Sequence, residues 1–139
     1  MIIAENLEES ISSPREVVKV VRDVLDLEPE HDQDKEHFWC IGVNAKNRII
    51  YIDLVSLGTL SNAPIHPRES FRLAIMKGCA SVIFVHNHPS GNPSPSSDDY
   101  AITDRLRKAG EILGIAVLDH VIIGDRDRYF AFNKGGKFL

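Results

Sequence analysis

Hydrophobic residues recur along the first part of this chain at the spacing of an α-helix. Ser13 and Pro14 form a typical helix start, because serine can cap a helix and proline suits its first turn. The apolar residues that follow at helical spacing are Val17, Val20, Val21, Val24 and Leu25. This pattern predicts an amphipathic helix over 14–25, followed by a charged surface connector over 28–35.

Two apolar runs after the connector have the composition of β-strands. Residues 38–43 and 48–55 are rich in β-branched and aromatic side chains, and the polar segment 44–47 separates them. These features predict an antiparallel hairpin. A loop is predicted over 58–67. A helix then begins near residue 67 and stops before Gly78, because proline favours a helix start and glycine a helix end. Its predicted buried side consists of Phe71, Ala74 and Ile75.

The second half of the chain alternates between short apolar runs and one long amphipathic segment. Residues 80–86 predict a central strand, and residues 115–123 predict another buried strand. Between them, residues 97–113 predict a long helix that ends at Gly114, and residues 128–133 predict a short edge strand. The predicted core stripe of the long helix is Ile102, Leu106, Ala109 and Leu113.

Mixed strands and helices place the chain in the α/β class. We predict a three-layer domain in which helices flank a mixed sheet. The length of 139 residues fits one domain, assigned to residues 13–139, with an N-terminal extension over 1–12. The pattern does not predict the order of the strands.

The composition changes this picture little, since 43% hydrophobic and 26% charged residues are typical of a globular protein. A net charge of −4 argues against a general phosphate-binding surface, so nucleic acid is not the favoured partner. No signal-peptide pattern or membrane-spanning apolar run occurs, so we expect a cytoplasmic protein without a membrane partner. Cys40 and Cys79 lie among apolar residues, which predicts buried, reduced thiols.

The segment most informative about chemistry holds two histidines, a serine and an aspartate in one array. His86 and His88 flank a single residue, and Ser96 and Asp99 follow after a stiff, proline-rich linker. Strand residues two apart point to the same face, so both imidazoles can converge on one ion, to which the returning chain brings Asp99. Three protein ligands with an open fourth position are typical of catalytic zinc. The array therefore predicts a Zn²⁺ site.

The same residues have a simpler interpretation. Ser96 and Asp99 also suit a helix start, where the serine caps and the aspartate favours the positive end of the helix dipole. Two histidines on one strand face, beside a restrained loop and a carboxylate, favour the metal interpretation. Asp98 is a competing carboxylate, but it lies about 100° from Asp99 around the helix.

Hydrolysis at such a metal needs a nearby proton acceptor. Glu36, directly before the first strand of the hairpin, and Glu69, in the first turn of the helix after residue 67, are candidates. Local physics does not separate them. His120, inside an apolar strand, is predicted to be a hydrogen-bonded core residue, and a supporting role behind a metal ligand stays open.

These residues match a family pattern. The array, with a glutamate before it, resembles the Glu-x(n)-His-x-His-x(7)-Ser-x-x-Asp signature of JAMM/MPN (JAB domain) metalloproteases. Segments 66–69, 86–91, 118–120 and 122–125 resemble the RadC branch. The resemblance covers the chain from about Ser13 to its end. RadC proteins usually carry an N-terminal helix-hairpin-helix region for which this chain has no room, so we expect a short form.

The resemblance implies a fold related to the cytidine deaminases and hydrolysis of a peptide or isopeptide bond in a peptide or protein substrate. It implies that His86, His88 and Asp99 hold zinc and that Ser96 stabilises the oxyanion. The family's glutamate precedes a strand, several tens of residues before the first histidine. Glu36 matches that position, so the resemblance makes it the general base and acid.

Two other functions stay open on the sequence alone. One is a DNA-repair-associated role, suggested by the RadC name, although the acidic balance disfavours it. The other is a metal-binding domain without turnover. A nucleobase deaminase needs His-x-Glu and Pro-Cys-x-x-Cys segments, and neither occurs in this sequence.

Overall fold

A computed structural model describes residues 1–58 and 65–133, and within these ranges six strands form one mixed sheet. The strands are β1 (Ile2–Glu5), β2 (His37–Val43), β3 (Ile49–Leu57), β4 (Ser81–Asn87), β5 (Ala116–Ile123) and β6 (Tyr129–Ala131). The helices described are α1 (Pro14–Asp26), α2 (Glu30–Gln33), α3 (Pro67–Ser70), α4 (Arg72–Met76) and α5 (Ser97–Leu113).

The strand order is β1-β3-β2-β4-β5-β6. β2 pairs with β3 as the predicted antiparallel hairpin and pairs on its other edge with β4, also antiparallel. β4 and β5 are parallel, and α5 connects them. The predicted central position of β4 and the edge position of β6 are both confirmed, and β4, which carries His86, is paired on both sides.

Alternation along the strands divides the core into two clusters, one on each face of the sheet. Trp39 and Ile41 of β2 pack with α1, whereas Phe38 and Cys40 pack on the opposite side with Leu106 of α5. Side chains of successive strand residues point to opposite faces, which explains this division. Helices therefore cover both faces of a mixed sheet, as the α/β pattern predicts.

The segment predicted as an N-terminal extension is part of the sheet. Its residues 2–5 form β1, which pairs with β3, and Ile11 is fully buried in the cluster beside α1. The terminal ammonium of Met1 lies 2.7 Å from Asp53. The apolar run in this segment is too short to predict a strand by its period. The connector over 28–35 likewise contains the one-turn helix α2.

Two residues predicted to be buried are exposed, and for them the prediction is wrong. The helix after residue 67 is interrupted at Phe71, so Phe71 and Ala74 reach the core while Ile75 is 55% exposed. Leu113 is 45% exposed because the chain reverses at Gly114 and Ile115 enters the core instead. The loop predicted over 58–67 falls mainly on residues 59–64, outside the described residues.

Both cysteines are free and buried, as predicted. Burial raises the pKa of Cys40 to about 12 and also raises the pKa of Cys79, so both thiols stay protonated near neutral pH. Over the two described ranges, no helix combines the length and apolar content needed to cross a membrane.

Gly110 provides a test of how closely α5 packs on the sheet. A Cβ at this position would lie 2.5 Å from the carbonyl oxygen of Ile115 and 3.1 Å from Cγ2 of Val117. Gly110→Ala is therefore expected to lower the free energy of unfolding by about 1–3 kcal/mol, despite the better helix propensity of alanine. Urea unfolding measures this. Glu111→Ala, at the exposed neighbouring position, serves as control. An unchanged free energy of unfolding in Gly110→Ala would contradict the packing described.

Candidate metal centre

The site is built where β4 ends and α5 begins. His86 lies near the end of β4 and is fully buried, His88 follows directly after the strand, and Asp99 lies in the first turn of α5. The linker over 89–96 brings the chain back to the C-terminal end of β4, where α5 begins. The β4–α5 connection therefore brings the three side chains together.

The ligand atoms of these residues form a compact triangle. Nε2 of His86 lies 3.0 Å from Nε2 of His88, and the two nitrogens lie 3.3 and 3.2 Å from the carboxylate oxygens of Asp99. Tetrahedral ligands at about 2.0–2.1 Å from zinc are separated by roughly 3.3 Å from one another. The three residues could hold a metal ion, and their spacing fits one of this size.

Hydrogen bonds behind His86 fix its tautomer. Thr103 donates its hydroxyl proton to the carbonyl oxygen of Asp99 at 2.7 Å, so its oxygen accepts a hydrogen bond from Nδ1 of His120. Nε2 of His120 then accepts from Nδ1 of His86 at 2.7 Å. This chain leaves the lone pair of His86 Nε2 directed at the triangle. Burial lowers the pKa of His120 well below its usual value, which keeps His120 neutral.

His88 is oriented in the same way by the linker. Its Nδ1 donates to the carbonyl oxygen of Asn92 at 2.8 Å, which leaves Nε2 to face the triangle. The backbone N–H of His88 donates to the carbonyl oxygen of Ile123 at 2.9 Å. The linker is also held at Gly91, whose carbonyl oxygen accepts from the backbone N–H of Asp125 at 2.8 Å. The turn after β5 therefore supports the position of the second histidine.

Asp99 combines the two interpretations that the sequence allowed. Its Oδ2 accepts from the backbone N–H of Ser96 at 2.9 Å, and its own N–H donates to the Ser96 hydroxyl, so the pair forms a capping box. The same carboxylate faces His86 and His88. Burial acts to raise the pKa of Asp99, but without an ion the protonated forms of His86 and His88 donate hydrogen bonds to this carboxylate, which outweigh burial and hold its pKa far below the usual range. The hydrogen bond with Asp99 raises the pKa of His88.

An open cleft of about 660 Å³ leads to the triangle. Glu36 and Ser96 line this cleft together with His88 and Asp99, so the structure brings these four predicted site residues to one place. Asp98 also lines the cleft but lies outside the triangle. The described residues that line it are Asp34, Lys35, Glu36, Gly58, His88, Pro89, Ser90, Ser96, Asp98 and Asp99.

Glu69, the other candidate base, does not line the cleft and is exposed on α3. Two buried polar residues at the site have no assigned role in the sequence analysis. Thr103 supports His120, and Asn87 lies between the two histidines. A weak signal was present for Asn87, because asparagine is depleted in strands and here ends a strongly apolar run.

Comparisons with known proteins agree with this architecture. The profile of the RadC-like JAB domain matches residues 11–137. The chain is similar to UPF0758 proteins of several microorganisms. It is 49% identical to one from Desulforamulus reducens over 123 residues, which are 87% of this chain and 54% of the relative. It is 42% identical to one from Listeria monocytogenes serotype 4b over 137 residues, which are 99% of this chain and 58% of the relative.

A third relative shows higher identity over a shorter stretch. This UPF0758 protein, from Desulforudis audaxviator, is 55% identical over 92 residues, which are 66% of this chain and 40% of the relative. The chain thus spans about half the length of the curated relatives it matches. Since the family profile covers nearly all of the sequence, this chain belongs to the family of RadC-like JAB domains.

Proposed function

We propose that this domain is a zinc-dependent metallopeptidase or isopeptidase that hydrolyses a peptide or isopeptide bond with water. The convergence of two imidazole nitrogens and an ionised carboxylate at the end of an open cleft is the observation that supports this proposal most. Catalytic zinc sites keep one position free, whereas structural zinc sites use four protein ligands. In this proposal His86, His88 and Asp99 hold the ion.

When bound, zinc would act as a Lewis acid that polarises the substrate carbonyl and lowers the pKa of a water molecule from 15.7 to about 7. The proton transfers belong to Glu36. Its carboxylate accepts one proton from the attacking water while the water oxygen bonds to the carbonyl carbon. It then delivers this proton to the leaving nitrogen as the C–N bond breaks, so the products are a carboxylic acid group and an amine.

Two observations support Glu36 in this role. It lines the same cleft as His88 and Asp99. The pKa of His88 is raised first by the hydrogen bond with Asp99, and the negative charge of Glu36 adds to that shift. Glu36 therefore lies near enough to the triangle for its charge to act there.

Ser96 is suited to stabilise the oxyanion of the tetrahedral intermediate. Its hydroxyl oxygen accepts from the backbone N–H of Asp99 at 3.1 Å, so its own proton is available to donate into the cleft that it lines. One well-placed donor of this kind contributes about 2.7–4 kcal/mol to transition-state stabilisation.

The charges around the cleft favour a peptide over a nucleic-acid substrate. Besides Asp99, the carboxylates of Asp34, Glu36 and Asp98 line it, and Lys35 is the one lysine among the described lining residues. The Lys35 ammonium lies 2.7 Å from the carboxylate of Asp32, which offsets its charge. Such a lining repels phosphate groups. DNA binding that weakens steeply with added salt would contradict this assignment.

Metal content tests the ligand set. We expect zinc in the wild-type protein purified without chelator, and its loss from His88→Ala and Asp99→Ala, because two remaining ligands bind a cation weakly. Elemental analysis measures this. His31→Ala is the matched control, since this histidine side chain is 78% exposed and does not belong to the cluster of candidate ligands. Equal zinc in His88→Ala and wild type would contradict the site.

Glu36→Gln separates catalysis from metal binding. The variant is expected to keep its zinc and to lose about 10²–10⁴-fold in kcat, because glutamine cannot accept or deliver the proton. Release of amines from a library of fluorogenic peptides and lysine-isopeptide conjugates measures turnover. Glu69→Gln is the control and should stay active. Full activity of zinc-loaded Glu36→Gln would assign the base to another residue.

Thr103→Val tests the hydrogen-bond chain behind His86. Valine has a similar shape but cannot accept from His120, so the fixed tautomer of His86 is lost. Metal affinity is expected to fall about 10–100-fold, as measured by competition with a chromophoric chelator. The exposed Asp104→Asn on the same helix serves as control, and an affinity unchanged in Thr103→Val would exclude this role.

A further inference from the structure

Asn87 uses both polar atoms of its side chain on the segment that carries Glu36. Its Oδ1 accepts from the backbone N–H of His37 at 2.6 Å, and its Nδ2 donates to the carbonyl oxygen of Lys35 at 3.0 Å. The residue is only 5% exposed. These two partners directly follow and precede Glu36, so the buried side chain of Asn87 is hydrogen-bonded to the backbone on both sides of that glutamate.

This contact extends the sheet by one step. β2 and β4 are paired through their backbones as far as Phe38 and His86. Beyond that pair, the carboxamide of Asn87 offers the same donor and acceptor as a peptide group and takes the place of a backbone partner. The segment before β2 is therefore hydrogen-bonded to the last residue of β4, which lies between His86 and His88.

Two more hydrogen bonds fix the same stretch. The backbone N–H of Gly58 donates to the carbonyl oxygen of Glu36 at 2.8 Å, and Nδ1 of His37 donates to the carbonyl oxygen of Lys35 at 2.8 Å. The buried Nε2 of His37 has no hydrogen-bond partner among the described residues, consistent with a proton on Nδ1. Among these contacts, those from Asn87 connect Glu36 to the strand of the metal ligands.

We propose that Asn87 is a positioning residue, which fixes the Glu36 carboxylate relative to the ligands His86 and His88. The proposal rests on the function proposed above and deepens it, because it places the ligands and the support of the base on the single segment 86–88. A base must come within about 2.6–3.2 Å of the proton it takes. A misplacement of about 1 Å can cost 100-fold in rate, so a small change in the Glu36 backbone would be sufficient to lower turnover.

A double-mutant cycle tests whether Asn87 acts through Glu36. Asn87→Ala is expected to lower kcat about 100-fold while metal affinity, measured by chelator competition, changes less than about threefold. In the Glu36→Gln background the same substitution should change the residual turnover little, because the group that it positions is already removed. An equal factor in both backgrounds, or an unchanged kcat in Asn87→Ala, would overturn the proposal.

Two NMR readouts do not depend on turnover. The His37 amide should exchange with solvent about tenfold faster or more in Asn87→Ala, while the amides of residues 39–41 keep their protection. In the cobalt-loaded protein, pseudocontact shifts of the Glu36 side chain should change, since they report its position relative to the ion. Unchanged exchange of His37 or unchanged shifts of Glu36 would overturn the role of Asn87, even if the wild type proved inactive.

The chain offers a matched control in Asn44, whose Oδ1 accepts from the backbone N–H groups of Lys46 and Arg48 at 2.9 and 3.0 Å in the β2–β3 turn. Asn44→Ala removes comparable bonds far from the cleft and should leave kcat and the Glu36 shifts unchanged. If Asn87→Ala does not fold, Asn87→Asp carries the test, because it keeps the acceptor for His37 but loses the donor for Lys35. If the wild type shows no turnover but substitution of Asn87 still changes the His37 exchange and the Glu36 shifts, the proposed function is refuted and the positioning role of Asn87 stands.

Discussion

The site depends on one constraint, the fixed tautomers of its two histidines. His86 donates through Nδ1 to His120, and His88 donates through Nδ1 to a carbonyl of the linker. Both Nε2 lone pairs consequently point to one place, 3.0 Å apart and beside the carboxylate of Asp99. Three electron-rich atoms at this distance repel one another unless a proton or a cation lies among them. The neutral state of His120 and the hydroxyl of Thr103 maintain this arrangement.

A helix cap and a candidate metal ligand are the same group in this protein. The capping box of Ser96 and Asp99 satisfies backbone N–H groups at the start of α5 and, through the same bonds, fixes the carboxylate that faces the histidines. The structural and the metal interpretations of this sequence therefore describe one geometry. Because regular elements hold side chains more firmly than loops do, the position of Asp99 in the first turn of a helix also fixes its carboxylate relative to the histidines.

Much of the fold and the three-residue cluster could be predicted from local pattern. Alternation placed His86 and His88 on one face, and the predicted helix start placed Asp99 nearby. The exposure of Leu113 could not be predicted, because periodicity shows which face of a helix is apolar but not where the chain turns back. The hydrogen bonds of Asn87 depend on the pairing of β2 with β4, and those of Thr103 depend on the packing of α5 against β5. A single sequence reveals neither contact. Catalysis by Glu36 and Ser96 stays a prediction.

The shared carboxylate of Asp99 links the occupancy of the site to the integrity of the fold. An ion that binds the native state but not the unfolded chain stabilises the former by RT ln(1 + [ion]/Kd), which is about 2.7 kcal/mol at a hundredfold excess over Kd. Part of this free energy would act on the first turn of α5, where the carboxylate also caps the helix. Removal of such an ion would accordingly lower the free energy of unfolding, and the N-terminal turn of α5 would lose part of what holds its capping carboxylate in place.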